Sequence, residues 1–494
     1  MLLGIDLGTG SVKALLLAID GTVMAEASHA YSVQTPQPGW TETDPAEWWQ
    51  AVAIAVRTVM QHQGDGLPDD RVQAIGLSGQ MHGVVLTDTK GEPLRPAILW
   101  ADTRSNGVLD RYRTLAPHLH KQLANPITTG MAGATLLWLQ AQEPALYKMA
   151  RWALQPKDWL RFRLTGTVVT EPSDASGTLL YDLLADDWAI DVLDALPLRT
   201  DWLPAIVPST SIAGSLTLEA AAQLGLQSGL PVVAGAADTA AAMLGAGVLE
   251  PGIIQLTVGS GAQIVTPRSQ PIADPQAGTH LYRAALPHQW YTLAAIQNAG
   301  LALEWVRRLL DLSWQQVYVD AFTVAPGCEG LTFLPYFTGE RTPHLDPSAR
   351  GAWVGLGLHH TRSHLMRSAL EGVAFALKQG LDAIMATGMN ASQLRLAGGG
   401  TVEPEWRQLL ADVLQLPLFS VSITAASARG AAMLAGIGCG AYADAFAVPP
   451  VAIAANSTIP RSPDANLTAA WLRYQSLYPQ LHDWQRSLSP FQSL

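Results

Sequence analysis

The chain of 494 residues is poor in charge, in cysteine and in long apolar runs. Only 14% of its residues are charged against 48% hydrophobic, which argues against disorder and for large buried cores. Its net charge of −11 argues against nonspecific binding to nucleic acid or to an anionic membrane surface. There are two cysteines, Cys328 and Cys439, and no CxxC pair. That argues against a disulfide framework or a zinc site and fits a reducing compartment. No uninterrupted apolar run reaches the ~18 residues of a membrane span. Ala236 to Val248 comes nearest, and Asp238 sits inside it. The N-terminus has no basic segment and Asp6 breaks its apolar stretch, so no signal peptide is expected. The expectation is a soluble, cytoplasmic protein with neither nucleic-acid nor membrane partners. A homodimer is expected on base rates alone.

What the chain does have is one feature twice. Leu2 to Leu7 reads as a strand, turns through Gly8-Thr9-Gly10 and continues at once as a second strand. Ile253 to Val258 does the same through Gly259-Ser260-Gly261 into Ala262 to Val265. Glycine lets backbone N–H groups turn inward and approach an anion closely. One such turn is most simply a hairpin. Two at corresponding places suggest a duplicated nucleotide-binding fold, with a polyphosphate held between the halves.

The rest of the pattern is that of an α/β protein. Strands are expected at 2–7, 12–19 and 22–27, with Asp20-Gly21 as a turn. Asp44-Pro45-Ala46-Glu47 has the form of a capping box opening a helix through Trp48, Val52, Val56 and Val59. The strand 72–77 ends in Ser78-Gly79-Gln80-Met81-His82-Gly83, and strand ends of this kind hold ligands in open α/β sheets. Residues 108–230, rich in Trp and Pro, read as an insertion. A boundary is expected near residue 248. Beyond it, Leu365 to Ile384 keeps helical spacing and Gly388 closes that helix. A strand at 394–397 then leads to Gly398-Gly399-Gly400. Helices through Trp406 to Val413 and over about 427–437 follow. Residues 441–494 carry no clear motif and read as an appendage.

Two acids stand out. Asp6 ends its strand beside the first turn, where a carboxylate suits Mg²⁺ together with substrate phosphates. Asp238 lies among small residues and reads equally as a helix N-cap or as a general base. His82 reads as a ligand contact or as a satisfied structural histidine. Trp100 and Asp102 read as a sugar-stacking face with a hydroxyl acceptor, or as a core Trp beside an Asp102–Arg104 ion pair. Glu340 and Arg341 are expected to pair and to fix a loop at a domain interface.

The chain resembles the FGGY carbohydrate kinases over about residues 1–440, and their xylulokinase branch most closely. The residues that carry this are Gly4 to Thr9, Gly79 to Gly83, Pro156 to Arg161, Gly339 to His344 with Asp346-Pro347 and Ala349 to Gly351, and Trp406 to Leu414. The resemblance implies two actin-like (ribonuclease H-like) ATPase domains with a cleft between them. It assigns 1–248 to the sugar-binding domain and 249–440 to the nucleotide-binding domain, with 441–494 appended. It implies phosphorylation of D-xylulose by ATP with Mg²⁺. Asp238 then matches the catalytic base and Asp6 the metal site. Gln80, Met81, His82, Trp100 and Asp102 fall on the sugar side. Gly8, Thr9, Gly259, Ser260 and Gly398 to Gly400 fall on the nucleotide side. Another ketose, a polyol or a sugar acid is the alternative acceptor, and a sugar-indifferent actin-like ATPase the alternative class.

Overall fold

The computed structural model describes residues 1–61, 72–397, 403–421, 423, 425–448 and 453–487. β1 (Leu2–Leu7), β2 (Ser11–Leu17) and β3 (Val23–Ala30) form an antiparallel meander. β4 (Ala74–Gly79) lies parallel to β1 on its other side. β6 (Pro231–Val233) runs parallel to β4 and takes β5 (Ile212–Ser215) antiparallel on its outer edge. The two-residue β7 (Ala236–Ala237) also pairs with β4.

A second sheet repeats this plan. β8 (Ile253–Val258) and β9 (Ala262–Arg268) form the hairpin, and β11 (Trp290–Ile296) joins β9 antiparallel. β12 (Gln393–Ala397) is parallel to β8, β13 (Leu418–Val421) is parallel to β12, and β14 (Ile453–Thr458) closes the edge antiparallel. β10 (His280–Arg283) is an extra edge strand on β11. Strand for strand, β3-β2-β1-β4-β6-β5 and β11-β9-β8-β12-β13-β14 have the same order and the same directions. The duplicated α/β fold expected from the two glycine turns is therefore present.

Helices cover these sheets for the reasons the sequence suggests. α1 (Pro45–Gln61) lays buried Trp48, Val52, Val56 and Val59 against β2 and β3. Asp44 does cap it, accepting the Ala46 N–H at 2.9 Å. Glu47 departs from the expected box and accepts from the Ser32 N–H instead, at 3.2 Å. α2 (Pro156–Thr165) sits in the 108–230 segment. α3 (Asp238–Gly245) and α7 (Ala426–Gly438) follow the last parallel strand of each half and pack on one another. Their contact is reciprocal. A Cβ on Gly245 would collide with the carbonyl of Ala426, and one on Gly430 with the carbonyl of Ala241. α4 (Gly300–Leu309), α5 (Arg362–Ala386) and α6 (Pro404–Leu414) belong to the second half.

The described residues of the segment with no sequence motif supply β14 and the long α8 (Ala465–Ser487). α8 straps the loop at 336–350: Tyr474 donates to the Tyr336 hydroxyl at 3.1 Å, Tyr478 to Asp346 at 2.8 Å, and Gln485 to the Arg350 carbonyl at 2.6 Å. Among the described residues no helix is long and apolar enough to cross a membrane.

Candidate active site

Strand register brings the two singled-out acids to one edge. Asp6 on β1 is level with Ser78 on β4, and so is Ala236 on β7 from the opposite side. Asp238 begins α3 two residues later. Ser78 donates its hydroxyl to Asp6 at 2.6 Å. Burial raises the Asp6 carboxyl above its ordinary range, against the opposing pull of Ser78 and Lys13. Asp238 is pushed up to about 7, first by burial and then by the charge of Asp6. Its oxygen accepts the Thr239 N–H at 2.6 Å, which opposes that rise.

The peptide ahead of Asp238 is buttressed from below. The Ser173 hydroxyl accepts the Ala237 N–H at 2.9 Å and donates to Glu171 at 2.8 Å, and Ser209 donates to Glu171 at 2.9 Å. Next to it lies a fully buried ionic cluster between α2 and Asp174. Lys157 is 2.7 Å from Asp158 and 3.2 Å from Asp174, and Arg161 is 2.9 Å from Asp158. Breaking one member of such a cluster strands a buried charge, so it fixes this corner of the fold.

The two glycine turns are held differently. Gly8 closes its turn by donating to the Ser11 carbonyl at 3.0 Å. Its own carbonyl takes the Tyr31 hydroxyl and, at 3.4 Å, the Gln80 amide. In the second turn Gly259 donates to the Gly261 carbonyl at 2.8 Å, and α4 starts directly on it through Gly300 to Gly259 and Leu301 to Ser260.

Of the residues expected from sequence, Thr9, Met81, His82, Trp100, Asp238, Gly259 and Ser260 line one cavity of about 540 Å³. Asp6, Gly8 and Gln80 stand just outside its lining, in the β1 and β4 ends that support it. Asp102 is turned away: Arg104 takes its carboxylate at 2.7 and 2.8 Å, and the Thr41 N–H binds it at 2.6 Å. For this residue the ion-pair alternative describes the geometry, with both partners buried. Gly398, Gly399 and Gly400 lie outside the described residues.

His82 combines both readings made of it. Its Nδ1 is 2.6 Å from the Gly177 carbonyl, so Nδ1 carries the proton and Nε2 keeps a lone pair. Burial pulls its pKa down to about 4, partly offset by Gly177 and deepened by Arg341. The ring is therefore a neutral acceptor for a ligand hydroxyl. Trp100 donates its indole N–H to the Thr9 hydroxyl at 2.9 Å, which links this wall to the first turn.

Several lining residues were not marked in sequence. His280 and Tyr282 alternate on β10 and face the cavity. That alternation was the available signal, on a strand of four residues. Thr128, Thr129 and Met131 come from irregular chain with no motif. Arg341 lines the cavity as well, and the expected Glu340–Arg341 ion pair is absent. Glu340 instead accepts the backbone N–H of Gln297 at 2.6 Å and of Arg341 at 2.8 Å. The Arg341 guanidinium lies over the Trp100 ring, 5.2 Å from its centroid.

Among the described residues one group has metal-ligand proximity, the surface residues Glu329, His359 and His360. His360 receives the Gly357 N–H on Nδ1 at 2.8 Å. Its proton then sits on Nε2, the wrong tautomer for a ligand at that nitrogen.

Comparison with known proteins agrees with this geometry. Residues 1–245 match the N-terminal domain of the FGGY family of carbohydrate kinases and residues 255–439 its C-terminal domain. A xylulose kinase of Escherichia coli is 36% identical over 414 residues, covering 84% of each chain. A gluconokinase of Bacillus subtilis is 31% identical over 450 residues, covering 88% of this chain and 86% of its own. The crystal structure of a xyloylose kinase from Brucella ovis superposes with a TM-score of 0.90 at 32% identity, covering 98% of this chain and 99% of that one. With its duplicated sheets, its paired acids and both domain matches, this chain belongs to the FGGY family of carbohydrate kinases, which use ATP.

Proposed function

We propose that the protein transfers the terminal phosphoryl group of ATP to a primary hydroxyl of D-xylulose, giving D-xylulose 5-phosphate. The observation that carries this reading is one cavity with three different walls. One holds Asp238, a carboxyl poised near neutrality; one holds Met81 and the neutral acceptor His82; one is the Gly259-Ser260 turn. A base whose pKa lies near the working pH is well suited to take a hydroxyl proton.

In this mechanism His82 Nε2 and the Met81 surface orient the sugar. Asp238 accepts the proton of the reacting hydroxyl as its oxygen attacks the terminal phosphorus, and the bond to the bridging oxygen of ADP breaks. The N–H groups of Thr9 and Ser260, which the turn-closing bonds of Gly8 and Gly259 leave free, bear on the phosphates from the two halves. Asp6 fits a divalent cation: Ser78 binds only Oδ1, and among the described residues Oδ2 accepts no hydrogen bond. Bound there with the phosphates, Mg²⁺ would neutralise charge on the transferred group. Approach of the halves about the α3–α7 contact would shut out water, which otherwise competes for the phosphoryl group.

The test is ADP release from MgATP with D-xylulose, D-ribulose, L-ribulose, glycerol and no acceptor. Strong stimulation by D-xylulose over the others is expected. Stimulation only by another member of the panel would move the substrate. Slow hydrolysis indifferent to all of them would remove the kinase mechanism from this cavity.

A further inference from the structure

Arg341 is the unexplained residue of the cavity. Among the described residues its guanidinium makes no ion pair and no hydrogen bond; it lies over the Trp100 face and feels Tyr282 and Glu340 only through space. The neighbouring acid does not serve it, because Glu340 is turned to two backbone N–H groups. Burial also pushes Glu340 up to about 8, so it is mainly uncharged at neutral pH. The surrounding imidazoles are neutral and so neither pair with it nor repel it: burial, with Arg341 contributing, draws His82 to about 4 and His280 to about 3.

The loop that carries Arg341 is held at several points. Thr342 is zipped to β11, with its N–H on the Ala295 carbonyl at 2.9 Å and its hydroxyl accepting the Ala295 N–H at 3.1 Å. Asn298 donates to the Gly339 carbonyl at 2.7 Å. α8 holds the same loop from outside through Tyr478 and Asp346. Arg341 lines the same cavity as His82, His280 and Tyr282, and its charge acts on all three. A partly buried guanidinium with no hydrogen-bond partner is a strong receptor for an electron-rich sp² oxygen, and best of all for a carboxylate.

We propose that Arg341 is a specificity-determining residue: reaching from the second half of the chain over Trp100, it binds a carbonyl or carboxylate oxygen of the acceptor, so that the site favours acceptors that carry such a group over polyols of the same length. This rests on the reading of the cavity as the acceptor site of a sugar kinase.

The experiment is calorimetric binding without nucleotide, using D-gluconate and D-glucitol. These differ only in a carboxylate against a hydroxymethyl group at one end. The wild-type protein should bind gluconate about tenfold or more tightly than glucitol, the size of one charge-assisted hydrogen bond. Arg341→Met should erase that preference while leaving the glucitol affinity within about twofold. Arg341→Lys, which keeps the charge and loses the planar fork, should retain part of it. Equal binding of the two ligands by the wild-type protein, or a preference that survives in Arg341→Met, would overturn the assignment. So would a loss in the variant confined to inorganic phosphate, which would make Arg341 a phosphate contact. No step here needs phosphoryl transfer, so the two readings fail separately. An Arg341-dependent preference with no acceptor-stimulated ADP release sinks the kinase proposal alone. D-xylulose turnover with no matched-pair preference sinks this one alone.

Discussion

The indole nitrogen of Trp100 is 2.9 Å from the hydroxyl oxygen of Thr9. One residue lies in the cavity wall beneath Arg341 and the other in the first glycine turn. The bond uses a Thr9 lone pair and leaves its hydroxyl proton free to point elsewhere. On the proposed function it ties the placement of the acceptor to that of the first turn.

Trp100→Phe keeps an aromatic face beneath Arg341 and removes the N–H. The expected result is a fall of about fivefold to tenfold in kcat with a smaller change in acceptor KM, the size of one hydrogen bond. Steady-state kinetics with the acceptor and ATP varied in turn would show it. An unchanged kcat would mean that the bond plays no part in turnover.

Asp238→Asn should lower kcat by about 10²–10⁴-fold, the usual worth of a positioned base. Acceptor binding, measured calorimetrically, should largely remain. On the proposed mechanism the active form of Asp238 is the carboxylate. Because its pKa is raised to about 7, kcat/KM should climb as pH rises through that value and level off above it. A rate independent of pH across this range would argue against Asp238 as base.

The same raised carboxyl predicts the reverse trend in stability. From its ordinary 3.8, Asp238 rises to about 7 in the folded protein. The folded state therefore binds the proton more tightly than the unfolded one, and stability declines as pH rises through that window. Asp238→Asn removes the penalty. Its Tm should exceed that of the wild-type protein at about pH 8, and the gap should close toward about pH 4. A gap that widens on acidification would contradict burial and Asp6 as the cause of the shift.

Gly430→Val places a branched side chain against the Ala241 carbonyl in the α3–α7 contact. Overpacking of this kind typically costs about 1–3 kcal/mol. The expected outcome is a clear drop in Tm together with reduced turnover, since α3 begins with Asp238. Thermal melting beside the ADP-release assay would read both.

Much of the fold was legible because its signals are local. A glycine turn between two apolar strands shows itself twice, and α5 and α6 keep helical spacing over several turns. The candidate site was legible where a residue sits in such a signal, as Asp6, Met81, His82 and Gly259 do. What escaped depends on partners distant in sequence. Asp102 looks like a hydroxyl acceptor until Arg104 and Thr41 are seen to hold it. Arg341 looks paired with its neighbour until Glu340 is seen to serve Gln297. α8 escaped because Pro479 stands inside it and its buried face is set by contacts with Tyr336 and Arg350.

The strap formed by α8 also bears on the order in which the molecule is completed. Domains generally fold as units, the earlier-made first, during synthesis. The loop that presents Arg341 precedes by more than a hundred residues the Tyr474, Tyr478 and Gln485 contacts that brace it. A nascent chain halted before those residues emerge from the ribosome has both hairpin turns and Asp238, yet lacks the brace on one cavity wall. Asp238 and both glycine turns are thus translated well before the helix that braces the Arg341 loop.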